Sequence, residues 1–436
     1  MNLAFKFPIV YWNCACLINE SGSFELEEEG KNASRDYTKL AKAIGNIRSA
    51  GVQVSLADIN SSSLSFKPDA EHNRILFGLK GLSRLGDEII KKIIAGRPYS
   101  SIKDFYYRIK PTKPQMLSLI KGGAFDNFME RKAAMAWYIW EICDKKSNLT
   151  LQNMPSLIKY NLIPQEEPYI LGLRIYNFNR YLKLNKLNNG DYKADTRIID
   201  FLAEIGNEDC LNGDTVDAKN WEKQYKKYMD VFRNWLSQNK AELLFQLNSK
   251  IFKECWDDNA KGTYSTWEME VMCFYYHDHE LAGLNQAKYG YSDFFKMPVN
   301  PPIDRSFSKG GKTINLYKLS KICGTCIAKD KDKSTISLLT PQGVVPVKFN
   351  KEFFAMYDKR ISEIGSDGKK HIVEYSWFDR GNLLVINGVR IEDTFICKKY
   401  SSTVGHRLTK ITSIDKDGNI TLQGERYKGG IYEEET

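Results

Sequence analysis

RILFGLKGLSRLGDEIIKKIIAGRPYSSIKDFYYRIKPTKPQMLSLIK, residues 74–121, is the stretch whose reading decides the fold. It carries 11 Lys and Arg against three Asp and Glu, and it divides into two short helical units. Residues 78–94 read as helix, tight turn, helix. Ile89, Ile90, Ile93 and Ile94 recur at helical spacing and leave Lys91 and Lys92 on the opposite face. The second unit runs from PQMLSLIK (114–121) through Gly122-Gly123 into Ala124-Phe125-Asp126. Its glycines suit the positive φ that ends a helix. Residues 131–144 resume as an amphipathic helix with Ala134, Trp137, Tyr138 and Ile142 on its core side.

The turn Leu82-Ser83-Arg84-Leu85-Gly86 has the apolar-x-x-apolar-Gly form of a helix-hairpin-helix. Such a hairpin holds a phosphate on backbone N–H groups at the start of its second helix, where the helix dipole also favours an anion. The contact reaches only the backbone and is blind to base identity. Arg84 stands where a glycine is usual, and Asp87 and Glu88 compete with a phosphate for the dipole. On spacing alone a plain αα-hairpin fits as well. The DNA-contacting set expected here is Lys80, Ser83, Arg84, Gly86, Lys91 and Lys92 in the first unit, and Lys121, Gly122 and Gly123 in the second.

Outward from this stretch, 436 residues exceed one ordinary core and imply two or three domains. The net charge is +9. Residues 1–150 hold 22 basic against 16 acidic side chains and residues 312–436 hold 21 against 16, whereas residues 151–311 hold 20 against 22. Basic ends around a slightly acidic middle fit a chain whose two ends touch a polyanion; a solvated charged face gives the same balance. Nine scattered cysteines, an odd number, point to free thiols in a reducing cytoplasm. FPIVYWNCACLI (7–18) follows Lys6 like a signal peptide, but Asn13 interrupts it and the acidic stretch 21–30 comes next, so it reads as a buried helix. With no apolar run near the ~20 residues a membrane span needs, the reading is soluble and cytoplasmic, with no membrane partner.

Residues 37–50 read as a helix with Leu40, Ala43, Ile44 and Ile47 inward, and 52–54 as a strand entering the turn-rich surface loop 57–63. Residues 145–311 read as mainly helical, with a polar break at 206–217. Leu151-Gln152-Asn153-Met154-Pro155-Ser156-Leu157 loosely resembles the peptides that enter sliding-clamp pockets; an ordinary helix start competes with that reading. His277-Asp278-His279 lacks further ligands for a metal.

From residue 316 the texture turns to β. Strands are expected at 322–328, 334–339, 344–349, 383–391 and 394–398, with one helix at 351–361, which makes a small barrel of the oligonucleotide-binding (OB) type. Lys329, Lys331 and Lys333 fall in its first loop, and Lys348, Trp377, Phe378 and Arg380 are candidates for its face. Cations with aromatics suit a single strand, although merely solvated lysines give the same pattern. Cys323-Gly324-Thr325-Cys326 lacks a second pair for zinc, and Asp415-Lys416-Asp417-Gly418-Asn419 reads as a hairpin turn. The fold class is therefore multidomain α+β, mainly helical in its N-terminal and middle regions with a tandem helix-hairpin-helix, then a small OB-type barrel.

The order of these pieces resembles the C-terminal half of the C-family replicative DNA polymerases, the bacterial DNA polymerase III alpha subunit and its phage kin. The resemblance rests on residues 7–19, Asp58-Ile59-Asn60, Ile75-Leu76-Phe77-Gly78-Leu79 with Gly86, residues 120–126, residues 274–281 and residues 324–331. Ala57, Arg84 and Glu280 depart from the family pattern. The resemblance implies the end of the fingers at 1–72, a tandem helix-hairpin-helix domain at 73–145, a helical connection at 146–311 and an OB domain with a C-terminal β-hairpin at 312–436. It implies a nucleotidyltransferase whose palm carboxylates hold two Mg²⁺ ions, and none of the Asp-x-Asp pairs here suits that role. The expectation is a DNA-gripping portion, without cofactor or catalytic residue of its own, that works with a palm-bearing chain meeting it at Tyr11, Trp12 and Leu17. A free-standing DNA-binding accessory protein is the competing reading.

Overall fold

The computed structural model describes residues 8–21, 37–284, 286–364, 370–400, 405–415, 417–424 and 434–435, so the expected acidic stretch after Ser21 lies outside the described residues. The chain forms two compact units, residues 1–135 with 262–436, and residues 136–261.

The first unit opens with α1 (Ile9–Glu20), which buries Val10, Cys14 and Leu17 one to two turns apart and exposes Ile9, Tyr11 and Trp12. Leu17, expected on a partner surface, is therefore core. Helix α2 (Tyr37–Ser49) buries Leu40, Ala41, Ile44 and Ile47, and Gly51 at φ +80° turns the chain out of it. Strand β1 (Gln53–Ser55) then pairs in parallel with β3 (Arg74–Leu76), which pairs antiparallel with β2 (Lys67–Asp69).

The first helix expected in the 78–94 unit is only a 3₁₀ turn, Leu79–Gly81. Gly78 and Gly81 explain it. A Cβ on Gly78 would sit 2.4 Å from the Ser65 backbone, and one on Gly81 2.5 Å from the Phe77 ring, so close packing needs two residues of poor helix propensity. The Leu79 and Lys80 amides donate to the Ser63 and Leu64 carbonyls instead. Helices α3 (Asp87–Ala95), α4 (Ile102–Ile109), α5 (Lys113–Lys121) and α6 (Arg131–Ile142) follow. Ser101 caps α4 by accepting the Asp104 amide.

The second unit packs α7 (Met154–Lys159), α8 (Tyr169–Leu184), α9 (Thr196–Glu204), α10 (Ala218–Gln238) and α11 (Lys240–Asn259) around Ile175, Leu182, Ile198, Trp221 and Phe232. A small sheet of β4 (Tyr192–Lys193), β5 (Leu211–Asn212) and β6 (Thr215–Val216) fills the polar break. Asp195 and Asp217 cap α9 and α10.

The chain re-enters the first unit through α12 (Tyr264–Met272) and the short α13 (Gln286–Tyr289). Helix was expected as far as residue 311, but β7 (Ile303–Lys309) and β8 (Lys312–Tyr317) form an antiparallel ribbon closed by Gly310 and Gly311, both at positive φ. The barrel matches its expectation closely: β9 (Ser320–Asp330), β10 (Thr335–Thr340), β11 (Gly343–Lys348), α14 (Lys351–Asp358), then, after the unexpected hairpin β12 (Ile361–Ile364) and β13 (Lys370–Glu374), β14 (Leu383–Ile391) and β15 (Thr394–Cys397). The sheet order β9-β10-β11-β15-β14, with β14 returning to β9, closes a five-stranded barrel of the OB type. Gly388 stands where β14 passes from β9 to β15, and a Cβ there would lie 2.1 Å from the Ile396 carbonyl oxygen. The barrel corner requires that close approach. Strands β16 (Leu408–Ile414) and β17 (Ile420–Gln423) pair antiparallel and extend the sheet from β14, and the Asp415 amide donates to the Asn419 carbonyl. Among the described residues no helix is long and apolar enough to cross a membrane.

Candidate nucleic-acid interface

In the first hairpin, Gly86 is the N-cap of α3 with no side-chain cap, and a Cβ there would meet nothing within 4 Å. The start of α3 therefore has no side-chain cap and is open at Gly86. Asp87 does not spoil this end. Its carboxylate lies 3.0 Å from the ammonium of buried Lys80 and is itself half-buried, so its charge is already balanced from within. Lys80 is thus held as an internal counter-ion. Arg84 is exposed and takes φ +64°, the left-handed conformation in which glycine is at ease. Ser83 is half-buried, its amide donating to the Val271 carbonyl at 2.8 Å and its carbonyl accepting the Ser118 hydroxyl at 2.5 Å. Lys91 is exposed, as is Lys92, whose ammonium donates to the Ile109 carbonyl at 2.8 Å and so caps α4. Arg84, Gly86 and Lys91 are the members of the first set that face solvent without such a duty.

The second hairpin is tighter. A Cβ on Gly122 would lie 2.5 Å from Leu82, and Gly123, at φ +76°, would meet the Arg131 guanidinium at 2.7 Å. Lys121 is buried and donates to Glu270 at 2.5 Å. Arg131, 2% exposed, holds Asp126 at 2.6 Å on the hairpin side and Glu268 at 2.8 Å on the α12 side, its guanidinium 4.8 Å from the Tyr264 ring centre. Burial lowers the Arg131 pKa, and the two carboxylates outweigh it, so the net shift is upward. Glu268, fully buried, also accepts the amides of Tyr276 and His277 and pairs with the His277 ring. The loop 57–63, expected on the surface, is instead a staple: Ala57, Ile59 and Ser62 are buried. The Ile59 amide donates to the Ala124 carbonyl, Asn60 exchanges two hydrogen bonds with Tyr99, and Arg97 donates to the Ile59 and Ser62 carbonyls. One loop thereby ties both hairpins together.

Residues 274–281 are a junction. Arg48 of α2 donates to the Tyr275 and Tyr276 carbonyls, and the Tyr275 hydroxyl meets Thr325 of β9 at 2.7 Å. His279 accepts the Leu281 amide on Nδ1 and donates from Nε2 to the Leu339 carbonyl at 2.9 Å. Both ring nitrogens are thus used in the neutral form, and burial brings the pKa down to about 4. Because the folded pKa lies below the unfolded value, this contribution is full above about pH 6.5 and is lost as pH falls towards 4, a total of about 3 kcal/mol. Glu280, raised by burial, works in the opposite direction. The expected result is that His279→Gln flattens the fall in unfolding free energy between those pH values, read from urea titrations of both proteins. Parallel pH curves would refute the assignment.

In the barrel, the register Asp330↔Thr335↔Lys348 brings the β9–β10 loop and the end of β11 together. Lys331, Lys333 and Lys348 therefore share one end, all three exposed; Lys331 lies 3.1 Å from Asp358 and Lys333 3.6 Å from Asp330. Arg380 is exposed and its Nε donates to the Ile327 carbonyl. Lys329 is instead enclosed by Asp358 at 2.5 Å and Asp379 at 2.9 Å. Trp377 and Phe378, expected to line the face, are buried in the barrel core beside Tyr357 and Phe354, so they offer no stacking surface. The Cys323 and Cys326 thiols are buried, which pushes both up to about 12.

Among the described residues no group of three or more His, Cys, Asp or Glu is placed to hold a metal ion. These residues do not fit a two-metal nucleotidyl-transfer centre, and no step of that chemistry is assigned to them. The Arg131–Glu268 pair escaped sequence reasoning because its partners lie 137 residues apart; an Arg after the hairpin and a Glu inside an apolar helix were the only signals.

Residues 51–135 match the family model described as a helix-hairpin-helix motif. The probable DNA polymerase YorL of Bacillus subtilis (strain 168) and the DNA-directed DNA polymerase of Bacillus phage SPbeta are each 37% identical over 445 residues, covering 98% of this chain and 34% of their own length. The DNA polymerase III subunit alpha of Thermus aquaticus is 33% identical over 108 residues, covering 23% of this chain and 9% of its own. The chain thus spans about a third of the length of the first two relatives.

Proposed function

We propose that this chain, a homologue of DNA polymerases that include the polymerase III alpha subunit, is the portion of a replicative polymerase that grips the primer–template duplex. The observation that carries the reading is the start of α3: an uncapped, open helix N-terminus at Gly86, flanked by exposed Arg84 and Lys91, with Asp87 neutralised by buried Lys80. That geometry suits a phosphate oxygen and carries no base information. The barrel end with Lys331, Lys333 and Lys348, near Arg380, follows the template single strand by charge. Lys80, Lys121 and Lys329 maintain the scaffold, as do Ser83, Gly122 and Gly123.

The Mg²⁺-holding carboxylates come from polymerase sequence outside this chain, carried by a separate palm-bearing polypeptide. A clamp contact through residues 151–157 is not part of the proposal, because Met154 and Leu157 are buried in a core. The experiment is primer extension. The purified chain with Mg²⁺ and nucleotides is expected to bind primer–template and add no nucleotide until the palm-bearing polypeptide is supplied. Extension by the chain alone would sink the division of labour.

A further inference from the structure

The ribbon of β7 and β8 stands out from the barrel with little cover. Every residue of β7 is exposed, as are Lys312, Thr313 and Ile314 of β8. Its base is fixed. The Lys318 amide donates to the Pro302 carbonyl at 2.9 Å, the Tyr317 amide to the Tyr400 hydroxyl at 2.8 Å, and the Glu392 amide to the Val299 carbonyl at 3.0 Å. Arg390 adds hydrogen bonds to the Phe294 and Met297 carbonyls. At about 3.3 Å per residue, the seven residues of β7 carry the tip roughly 20 Å from that base.

The two faces differ because side chains alternate along a strand. One face holds the cross-strand pairs Arg305–Leu316, Phe307–Ile314 and Lys309–Lys312, so that cations bracket an apolar pair whose members are 46% and 37% exposed. The other holds Ser306–Asn315, where the Ser306 hydroxyl donates to Asn315 Oδ1 at 2.8 Å, and Ser308–Thr313, with Asp304 at the register shift beside them, 3.3 Å from Arg305. Residues 303–318 carry Arg305, Lys309, Lys312 and Lys318 against the single acid Asp304. Four cations against one acid suit a polyanion, and the thin two-stranded shape suits a groove in one.

We infer that this ribbon is a second DNA-binding element, one that enters the major groove of duplex DNA with its Ser/Thr/Asn face towards base edges and its tip lysines on phosphates. The inference rests on the proposed duplex grip. A two-stranded ribbon is among the few elements that fit a groove about 12 Å wide. Short hydroxyl and amide side chains keep that face thin while supplying donors and acceptors, and the cations on the opposite face reach the flanking strands. Phe307 and Ile314 lie between those cations on the ribbon's outer side.

The test is binding of a labelled duplex by fluorescence anisotropy across a salt series, for the full chain and three variants. Arg305→Ala/Lys309→Ala/Lys312→Ala is expected to weaken binding about 10- to 100-fold near 0.15 M salt and to make the salt slope shallower by about 2 to 3. Ser306→Ala/Ser308→Ala/Thr313→Ala/Asn315→Ala is expected to weaken binding about 3- to 10-fold with the slope unchanged, because its groups contact no phosphate. Arg84→Gly/Lys91→Ala serves as the comparison. Because the altered ribbon side chains are exposed, Asn315 alone being half-buried, circular dichroism should match that of the unaltered chain. If both ribbon variants bind as the unaltered chain does while the comparison is weakened, the ribbon inference falls and the grip stands. If the unaltered chain fails to bind duplex at all, the grip falls and takes the ribbon with it. Loss confined to single-stranded DNA overturns the groove assignment.

Discussion

Replacing Arg131 by methionine should destabilise the fold by about 3–5 kcal/mol, the range for removing one partner of a buried ion pair. The cost arises on the other side of the pair. Glu268 is fully buried, and without the guanidinium at 2.8 Å its charge keeps only the Tyr276 and His277 amides and the His277 ring. Asp126 loses its partner at the same time, which frees the hairpin around Gly123. Lys121→Met should cost far less, under about 1 kcal/mol, because Glu270 is half in water and resolvates. Arg131→Met/Glu268→Leu should recover much of the loss, since two apolar side chains leave no buried charge behind. Urea midpoints for the two single variants and the double variant decide the matter. A cost below about 1 kcal/mol for Arg131→Met would remove the pair from the centre of the scaffold.

The second large effect is on DNA and separates stability from binding. Arg84→Gly/Lys91→Ala is expected to weaken duplex binding about 25-fold near 0.15 M salt, at about fivefold for each phosphate that goes without its cation. The same change should raise stability by about 1 kcal/mol, because glycine relieves the left-handed conformation that Arg84 holds at φ +64°. Equal affinity in a more stable variant would show that Arg84 and Lys91 are only solvated charges.

The sequence revealed those elements whose pattern is local. The five barrel strands and α14 were legible because period-2 apolar runs, Pro341 and Gly343 mark strand and turn without help from distant residues. The helix-hairpin-helix reading of residues 78–128 was legible from glycine placement, and residues 51–135 match that motif. The first helix of the pair shrank to one 3₁₀ turn because Gly78 and Gly81 answer to Ser65 and Phe77, neighbours that no periodicity reveals. Charge was the least reliable guide. Lys80, Lys121 and Lys329 look like Lys91 and Lys348 in the sequence, yet each of the first three faces a carboxylate three ångströms away or less. Loop 57–63 misled in the opposite sense. Its Asp, Asn and Ser side chains satisfy buried backbone and neighbouring loops rather than water. The ribbon was missed although Gly310-Gly311 between alternating residues is a hairpin signal, because helical composition on its N-terminal side set the expectation.

The central claim is a grip on DNA through phosphates, and the salt dependence of duplex binding tests it most directly. With Arg84, Lys91, the start of α3 and the ribbon cations engaged, the logarithm of the binding constant should fall against the logarithm of salt with a slope of about −4 to −5, the same for unrelated sequences of equal length. A slope near zero, or a slope that changes with base sequence, would contradict it.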